Sequence, residues 1–330
     1  MKPEQQSYPG FGQESPIHSI QPGGGWGMSV ELLWGKFRRW ILKRFCRMYV
    51  TEQAASRQGD CSTCPGRAQG CTGEVIDCRD LKYFNTVCGY SFPDQQHHRF
   101  AWREKLFFAR WGLAELIMFT LGCMLASCAV GLLAYAETPY WLTITLSVLI
   151  FLFWLEIIWF FRDPPRKIPE NNFAVVSPAD GTIVEISEVD AEGFPEGKAF
   201  RIGIFLSVFN VHINRSPVTG TVTKLRYFPG RFLNAMKTVS ARVNEQLWID
   251  MQHDQLNFPL RVTQISGALA RRIVCDLKTG QKVIKGQKFG MIKLGSRTEL
   301  YLPHNLDIDL QVKIGDKVRG GSSVLLHIKN

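Results

Sequence analysis

Two apolar runs separated by three residues constrain this chain more than any other feature. Leu116 to Ala136 carries no charge, and Tyr140 to Phe161 carries only Glu156, near its far end. Each run is just over 20 residues, which at a helical rise of about 1.5 Å per residue matches a hydrocarbon core about 30 Å thick. Only Glu137, Thr138 and Pro139 lie between them, so two helices would have to turn back on each other as a hairpin. Lys and Arg are absent from that connection, whereas Arg103, Lys105 and Arg110 precede the hairpin and Arg162, Arg166 and Lys167 come after it. The positive-inside rule then puts both flanks on the cytoplasmic side of the inner membrane. The competing reading, a helical hairpin buried in a soluble core, is disfavoured by the length of the runs.

A formal charge of +10, from 39 Lys and Arg against 29 Asp and Glu, coexists with a mean hydropathy of −0.05. The average hides an apolar block between basic flanks. Such a balance suits nucleic acid or an anionic membrane surface, and the apolar block decides for the bilayer. Nucleic acid is not an expected partner. Residues 1–28, rich in Gly, Gln, Ser and Pro, read as a disordered tail without the apolar stretch of a secretory signal. From Ser29 to about Tyr49, Leu, Trp, Ile and Phe alternate with Lys and Arg at helical spacing. That pattern suits a basic amphipathic helix on a membrane surface, or equally a helix packed on its own domain. Farther on comes Cys61-x2-Cys64-x6-Cys71-x6-Cys78-x9-Cys88. A CxxC step is half of a usual zinc or iron–sulfur site, so Cys61, Cys64, Cys71 and Cys78 are candidate ligands, with His97 or His98 as an addition. A second CxxC is missing, and reduced thiols in a cytoplasmic setting are the leading alternative.

From Asn171 onward, short runs of Val, Ile and Thr are punctuated by Gly, Pro and Asp about every ten residues, a mainly β texture. Two internal echoes stand out. SPADGTIVEI (177–186) resembles SPVTGTVTKL (216–225), and GQKVIKG (280–286) resembles GDKVRGG (315–321). Repeats of this kind suggest a barrel-sandwich-like domain with pseudo-two-fold symmetry, although the Met-Lys-Met attachment site of lipoyl carriers is missing. The expected class is mainly β (α+β). The expected organisation is a tail over 1–28, an amphipathic and Cys-bearing extension over 29–110, a transmembrane hairpin over 111–161, and a catalytic domain over 162–330.

The segment KFGMIKLGSRTELYLP (288–303) places a Gly295-Ser296 step between two strand-like runs. Alone, such a pair means a turn. Its surroundings add more, because the segment resembles the cleavage site of bacterial phosphatidylserine decarboxylases almost residue for residue. FFRDPPRKIP (160–169), VSPADGTIVEI, FLSVFNVHINRSPVTGTV, YFPGRFLNA and ISGALARRIVC stand in that family's order. The resemblance, to the family's short form, covers about residues 112–330.

What it implies is a self-processing enzyme that converts phosphatidylserine to phosphatidylethanolamine and CO2. Loss of CO2 next to an amine leaves a carbanion, so an electron sink is needed on that nitrogen. A glycine-rich phosphate cradle for pyridoxal phosphate is not evident. The family's sink is a pyruvoyl group made from serine, here Ser296, whose hydroxyl attacks the Gly295 carbonyl. The products would be a chain of residues 1–295 and a pyruvoyl-headed chain of 296–330 that remain partners. A serine hydroxyl needs a base, itself oriented by an acid. The resemblance supplies His212 and Asp180, which with Ser296 would form a triad. His212 would also handle the proton that replaces the lost carboxylate. Blander readings exist, since Asp180-Gly181 is a common turn pair and His212 sits between Val211 and Ile213. Where long-form members carry a second histidine three residues on, this chain has Arg215, which could meet the lipid phosphate or carboxylate, as could Lys224, Arg226 and Arg231. Two rivals stay open: a non-enzymatic membrane adaptor, and the same chemistry on an ether lipid bearing phosphoserine. Assembly into a homo-oligomer is compatible with all of these.

Overall fold

The computed structural model describes residues 105–329, except 137, 229, 237–238, 269–271, 276, 278 and 294, together with Thr51–Glu52 and Tyr90–Ser91, which pair antiparallel. The expected tail, the amphipathic stretch, His97, His98 and the candidate ligands Cys61, Cys64, Cys71 and Cys78 lie outside the described residues. Among the described residues no group of His, Cys, Asp and Glu is arranged to hold a metal ion. The chain divides into two compact units, one of residues 95–164 and one joining 1–94 to 165–330.

In the first unit, α1 (Leu113–Tyr135) and α2 (Tyr140–Phe160) form the hairpin. Both are long and apolar enough to cross a membrane, with mean hydropathies of 2.3 and 2.2. Only 11% of either span is buried, and Leu125, Leu132, Trp141 and Ile144 stand among the exposed large apolar side chains. A core hairpin of a soluble protein would show the reverse. The helices meet through a T-shaped Phe119–Phe153 contact and a hydrogen bond from Trp154 Nε1 to Thr120 Oγ1 of 3.3 Å. At the open end Ala109 N donates to Phe161 O and Asp163 N to Phe107 O, at 2.7 and 2.6 Å. At the closed end the Thr138 hydroxyl donates to Leu133 O at 2.6 Å. Helix α1 begins three residues before the charge-free run and takes Glu115 into its first turn. An acidic side chain there faces the positive end of the helix dipole, which is why the charge does not delay the helix.

The β unit runs through β1 (Ala174–Val176), β2 (Gly181–Asp190), β3 (Lys198–Leu206), β4 (Ile213–Arg215), β5 (Gly220–Phe228) and a one-turn helix α3 (Ser240–Val243). It continues with β6 (Gln246–His253), β7 (Pro259–Ile265), β8 (Arg272–Cys275), β9 (Lys282–Val283), β10 (Lys288–Lys293) and β11 (Ser296–Pro303). Last come β12 (Ile308–Leu310), β13 (Lys317–Val318) and β14 (Val324–Ile328). An eight-stranded sheet has the order β9-β5-β6-β7-β11-β3-β2-β13, and two three-stranded sheets have the orders β8-β10-β4 and β12-β14-β1. The echoing segments meet in matching ways. Lys282 and Val283 pair with Thr221 and Gly220, and Lys317 and Val318 pair with Thr182 and Gly181.

Strand alternation gives the large sheet two different faces. Leu206, Ile204, Ile202, Leu300, Leu302, Val262, Ile249 and Met251 point into one apolar core, which Ile292 and Leu325 from the small sheets help fill. The other face carries charge. Arg297, 1% exposed, donates to Glu185 at 2.5 Å and to Glu299 at 2.7 Å. Gly203 makes room for this guanidinium, since a Cβ there would lie 2.5 Å from Arg297 Nη2. Arg201 pairs with Glu185 as well, and the Tyr301 hydroxyl donates to Glu299 at 2.6 Å. Beside this array Arg226 and Arg261 share Asp250, with Trp248 beneath both guanidinium groups.

Arg297→Met would leave two carboxylates without their shared cation, and an uncompensated buried charge costs about 3–5 kcal/mol. A loss of that size is expected in urea unfolding of the solubilised protein. Burial opposes ionisation of Glu185, but the hydrogen bond from Arg297 and the charges of Arg201 and Arg297 outweigh it and hold the carboxyl below its ordinary 4.5. The stability this adds is complete above the unfolded value and is lost as pH falls through the folded one. Glu185→Gln should therefore flatten the acid limb of the stability–pH curve while lowering the plateau above it.

Candidate active site

The backbone changes sheets at the Gly295-Ser296 step. Strand β10 belongs to a three-stranded sheet, and β11, beginning at Ser296, lies in the middle of the eight-stranded one between β3 and β7. The short passage between them places Gly295 at φ +67°, in the left-handed region that glycine enters without steric penalty. Ser296 is fully buried, and its Oγ has no hydrogen-bond partner among the described residues. Buried hydroxyls are normally bonded, so an unbonded one next to a left-handed glycine makes this step a candidate for chemistry.

His212 reaches this step from the other side. It comes after the turn Ser207–Asn210 and precedes β4, whose partner in the small sheet is β10. His212 is fully buried. Its Nδ1 lies 2.9 Å from Asn210 O, and its Nε2 accepts the Gly295 N–H at 3.2 Å. A carbonyl can only accept, so Nδ1 carries the proton and Nε2 is the bare nitrogen that accepts the Gly295 N–H. The imidazole is thus in the tautomer a base requires.

Asp180 stands at the same level of the large sheet. Ser296 pairs with Leu206, and Phe205 pairs with Thr182, which aligns the SPADG turn with Ser296 across β3. The bonds described for its carboxylate run from Arg166 Nη2 at 2.6 Å and from Gly320 N at 2.8 Å. Arg166 belongs to the segment read from sequence only as a junction, and nothing in its spacing singled it out as a partner of Asp180. Arg215, expected at the lipid headgroup, is buried and donates to Gly286 O at 3.1 Å. Arg226 is buried in the ion-pair array, whereas Lys224 and Arg231 are exposed.

Sequence reasoning missed a buried amide that ties these strands together. Asn214 Nδ2 donates to Thr298 Oγ1 at 3.0 Å and lies 3.4 Å from Pro178 O, while Asn214 Oδ1 accepts from Gln264 Nε2 at 2.8 Å. Thr298, Pro178 and Asn214 are each two residues from Ser296, Asp180 and His212. Thr298 and Ser296 lie on the same face of β11, so the hub touches that strand one side chain along from Ser296. It holds the strands' spacing at a place where water is excluded.

A cleft of about 690 Å³ opens elsewhere, lined by Glu188, Lys198, Arg201, Trp248, Arg261 and Tyr301 among others. Neither Ser296 nor His212 lines it. Tyr301 lies about 17 Å along β11 from Ser296 at about 3.4 Å per residue. The buried Gly295-Ser296 step and this opening are therefore separate places on the large sheet.

Comparison with known proteins shows which family the chain resembles. The family model described as phosphatidylserine decarboxylase matches residues 155–326. The phosphatidylserine decarboxylase proenzyme of Rhodopirellula baltica is 43% identical over 245 residues, covering 74% of this chain and 97% of that protein. The proenzyme of Carboxydothermus hydrogenoformans is 44% identical over 184 residues, covering 56% and 85%. That of Chlorobium chlorochromatii is 41% identical over 217 residues, covering 65% and 97%. With more than half its length matched by the family model, and a 43% identical relative matched over nearly its whole length, this chain belongs to the phosphatidylserine decarboxylase family.

Proposed function

We propose that the chain cuts its own backbone between Gly295 and Ser296, and that the processed enzyme converts phosphatidylserine to phosphatidylethanolamine and CO2 at the cytoplasmic face of a membrane. The observation that carries this reading is the unbonded, buried Ser296 Oγ beside a left-handed Gly295 whose N–H donates to His212 Nε2.

Ser296 Oγ attacks the Gly295 carbonyl carbon as His212 Nε2 takes the hydroxyl proton. The C–N bond then breaks, and the proton passes to the Ser296 nitrogen, which leaves as an amine. An ester now joins the two parts. Removal of the Ser296 α-proton breaks the Cβ–O bond, releasing Gly295 as the carboxylate end of 1–295. The dehydroalanine left at position 296 takes up water and loses ammonia, which leaves a pyruvoyl group at the head of 296–330. The residues present fit such a group, since it is built from Ser296 in place and inherits its buried, unbonded position. When formed, it supplies the ketone that accepts the electron pair left by CO2. His212 then holds the proton that replaces the carboxylate. Asp180 is assigned to the same step in this reading, its carboxylate fixed by Arg166 and Gly320, while the orientation of His212 comes from Asn210 O at Nδ1.

Two larger features belong to the same reading. The domain over 162–330 is inferred to be a barrel-sandwich of two interleaved repeats, supported by the matching pairings of β9 with β5 and β13 with β2. The two small sheets add to this, each carrying a register shift in its strand pairing, at Lys288/Gly290 and Val324/Leu326. The hairpin anchors the chain to the bilayer where its diacyl substrate resides. The basic flanks of the hairpin assign both to the cytoplasmic side, and the +10 charge favours an anionic leaflet.

Intact mass of the purified protein tests the reading. Wild type should give a fragment ending at Gly295 and a blocked fragment beginning at residue 296 that reacts with a carbonyl reagent. Ser296→Ala should stay one chain and release no CO2 from phosphatidylserine. A wild-type chain recovered from membranes uncut would overturn the mechanism and favour an adaptor. His212→Ala should slow fragment formation about 10²- to 10⁴-fold, the usual contribution of a positioned base, followed by gel in a time course after synthesis.

A further inference from the structure

Two motifs remain without a role in this mechanism, YFPGRFLNA and ISGALARRIVC. The structure brings parts of both to the scissile peptide. Gly267, in the second motif, lies so close to Gly295 that a Cβ on it would sit 1.7 Å from the Gly295 carbonyl oxygen and 2.8 Å from its carbon. Real Cβ atoms essentially never come within 3.0 Å of another heavy atom. The φ of Gly267 is outside the left-handed region, so the backbone would accept alanine and only the contact forbids it.

The residue before it is anchored. Ser266 is fully buried, and its N–H donates to Glu245 O at 3.0 Å. Its carbonyl accepts from Asn244 Nδ2 at 2.8 Å. Asn244, also fully buried, is held in turn by Leu233, whose N–H it accepts at 2.9 Å and to whose carbonyl it donates at 2.8 Å. Gly230, in the first motif, lies flat on the same place, since a Cβ there would fall 2.4 Å from the Asn244 carbonyl carbon. The chain Leu233–Asn244–Ser266–Gly267 therefore ends on the carbonyl that Ser296 attacks.

We propose that Gly267 is the seat of the scissile carbonyl, a positioning residue that fixes the Gly295 C=O for attack by Ser296 Oγ, with Asn244 holding the seat through Ser266. This inference rests on the self-cleavage proposed above and names the contact that orients its electrophile. Attack requires the carbonyl carbon near the nucleophile with its face presented, and a displacement on the order of 1 Å reduces such a step about 100-fold. Gly267→Ala demands a shift of at least that size.

The test compares rates of fragment formation, by intact mass after pulse synthesis into membranes, for wild type, Gly267→Ala and Gly220→Ala. Gly220 is a matched control: its Cβ would meet Gln252 O at 2.5 Å in the same sheet, at the end far from Ser296. Thermal unfolding of each solubilised chain is measured alongside. The expected result is cleavage slowed about 100-fold in Gly267→Ala, out of proportion to its fall in unfolding temperature. Gly220→Ala should lose stability and still cleave at the wild-type rate. Cleavage of Gly267→Ala at the wild-type rate, or equal slowing in both variants in step with stability, overturns the proposal. Should Gly267→Ala fail to fold, Asn244→Asp reads the same seat, because it keeps the acceptor for Leu233 N and removes the donor to Ser266 O. Slowed cleavage in that variant, with an unfolding temperature like that of Gly220→Ala, supports the seat, and wild-type cleavage overturns it. An uncut wild-type chain overturns the self-cleavage reading itself, which separates that failure from this one.

Discussion

Strand β11 is hydrogen-bonded along both edges, to β3 on one side and β7 on the other, while the strand immediately before it belongs to a different sheet. Two well-formed ladders with two residues between them leave little freedom for the connection. The last of those residues, Gly295, delivers the chain to the second sheet at a positive φ that any other residue would resist. The first residue of the ladder on the far side is Ser296. Its burial and its unbonded hydroxyl, and the bond from the neighbouring Gly295 N–H to His212, accompany that transfer between sheets.

The rest of the β unit supports this arrangement from two directions. On the core side, a continuous apolar cluster joins the large sheet to both small ones, and the Asn214 hub is the polar interruption closest to the site. On the other side, the array of Arg297, Glu185, Glu299 and Arg201 grips the residue next to Ser296. A guanidinium held by two carboxylates has few alternative positions, and Arg297 therefore fixes the orientation of β11 at its first turn of pleat. Burial alone would not do this, since apolar contacts tolerate small slips that a bidentate charge pair does not.

Much of this was legible in the sequence, for identifiable reasons. The apolar runs are long, nearly uncharged and separated by three residues, so a helical hairpin follows from length and composition. The β texture follows from alternation and turn chemistry, and the echoes mark segments that pair alike. The motifs that hold Gly295, Ser296, His212 and Asp180 were legible as those of the family. What sequence could not supply were contacts between residues far apart in the chain. Arg166 with Asp180, Asn214 with Gln264 and Thr298, and Gly203 beneath Arg297 carry no local signature, because each depends on strand order. Arg215 and Arg226 illustrate the converse. As basic residues near a motif they suggested headgroup binding, yet ladder position turns both inward to protein partners.

By itself, then, the sequence determined the apolar helical hairpin, the mainly β character of the region C-terminal to it, and the motif around Ser296 by which the chain resembles its family. These rest on local quantities: hydrophobic length, two-residue alternation, and residue types in a short motif. Only the tertiary structure decided which groups face that serine. The antiparallel registers brought Asn214 to Gln264 and Thr298, and they laid Gly267 against the Gly295 carbonyl. The physical reason is that register is a property of paired strands. Hydrogen-bonded ladders between segments tens of residues apart settle, to within an ångström, which side chains and which backbone atoms meet.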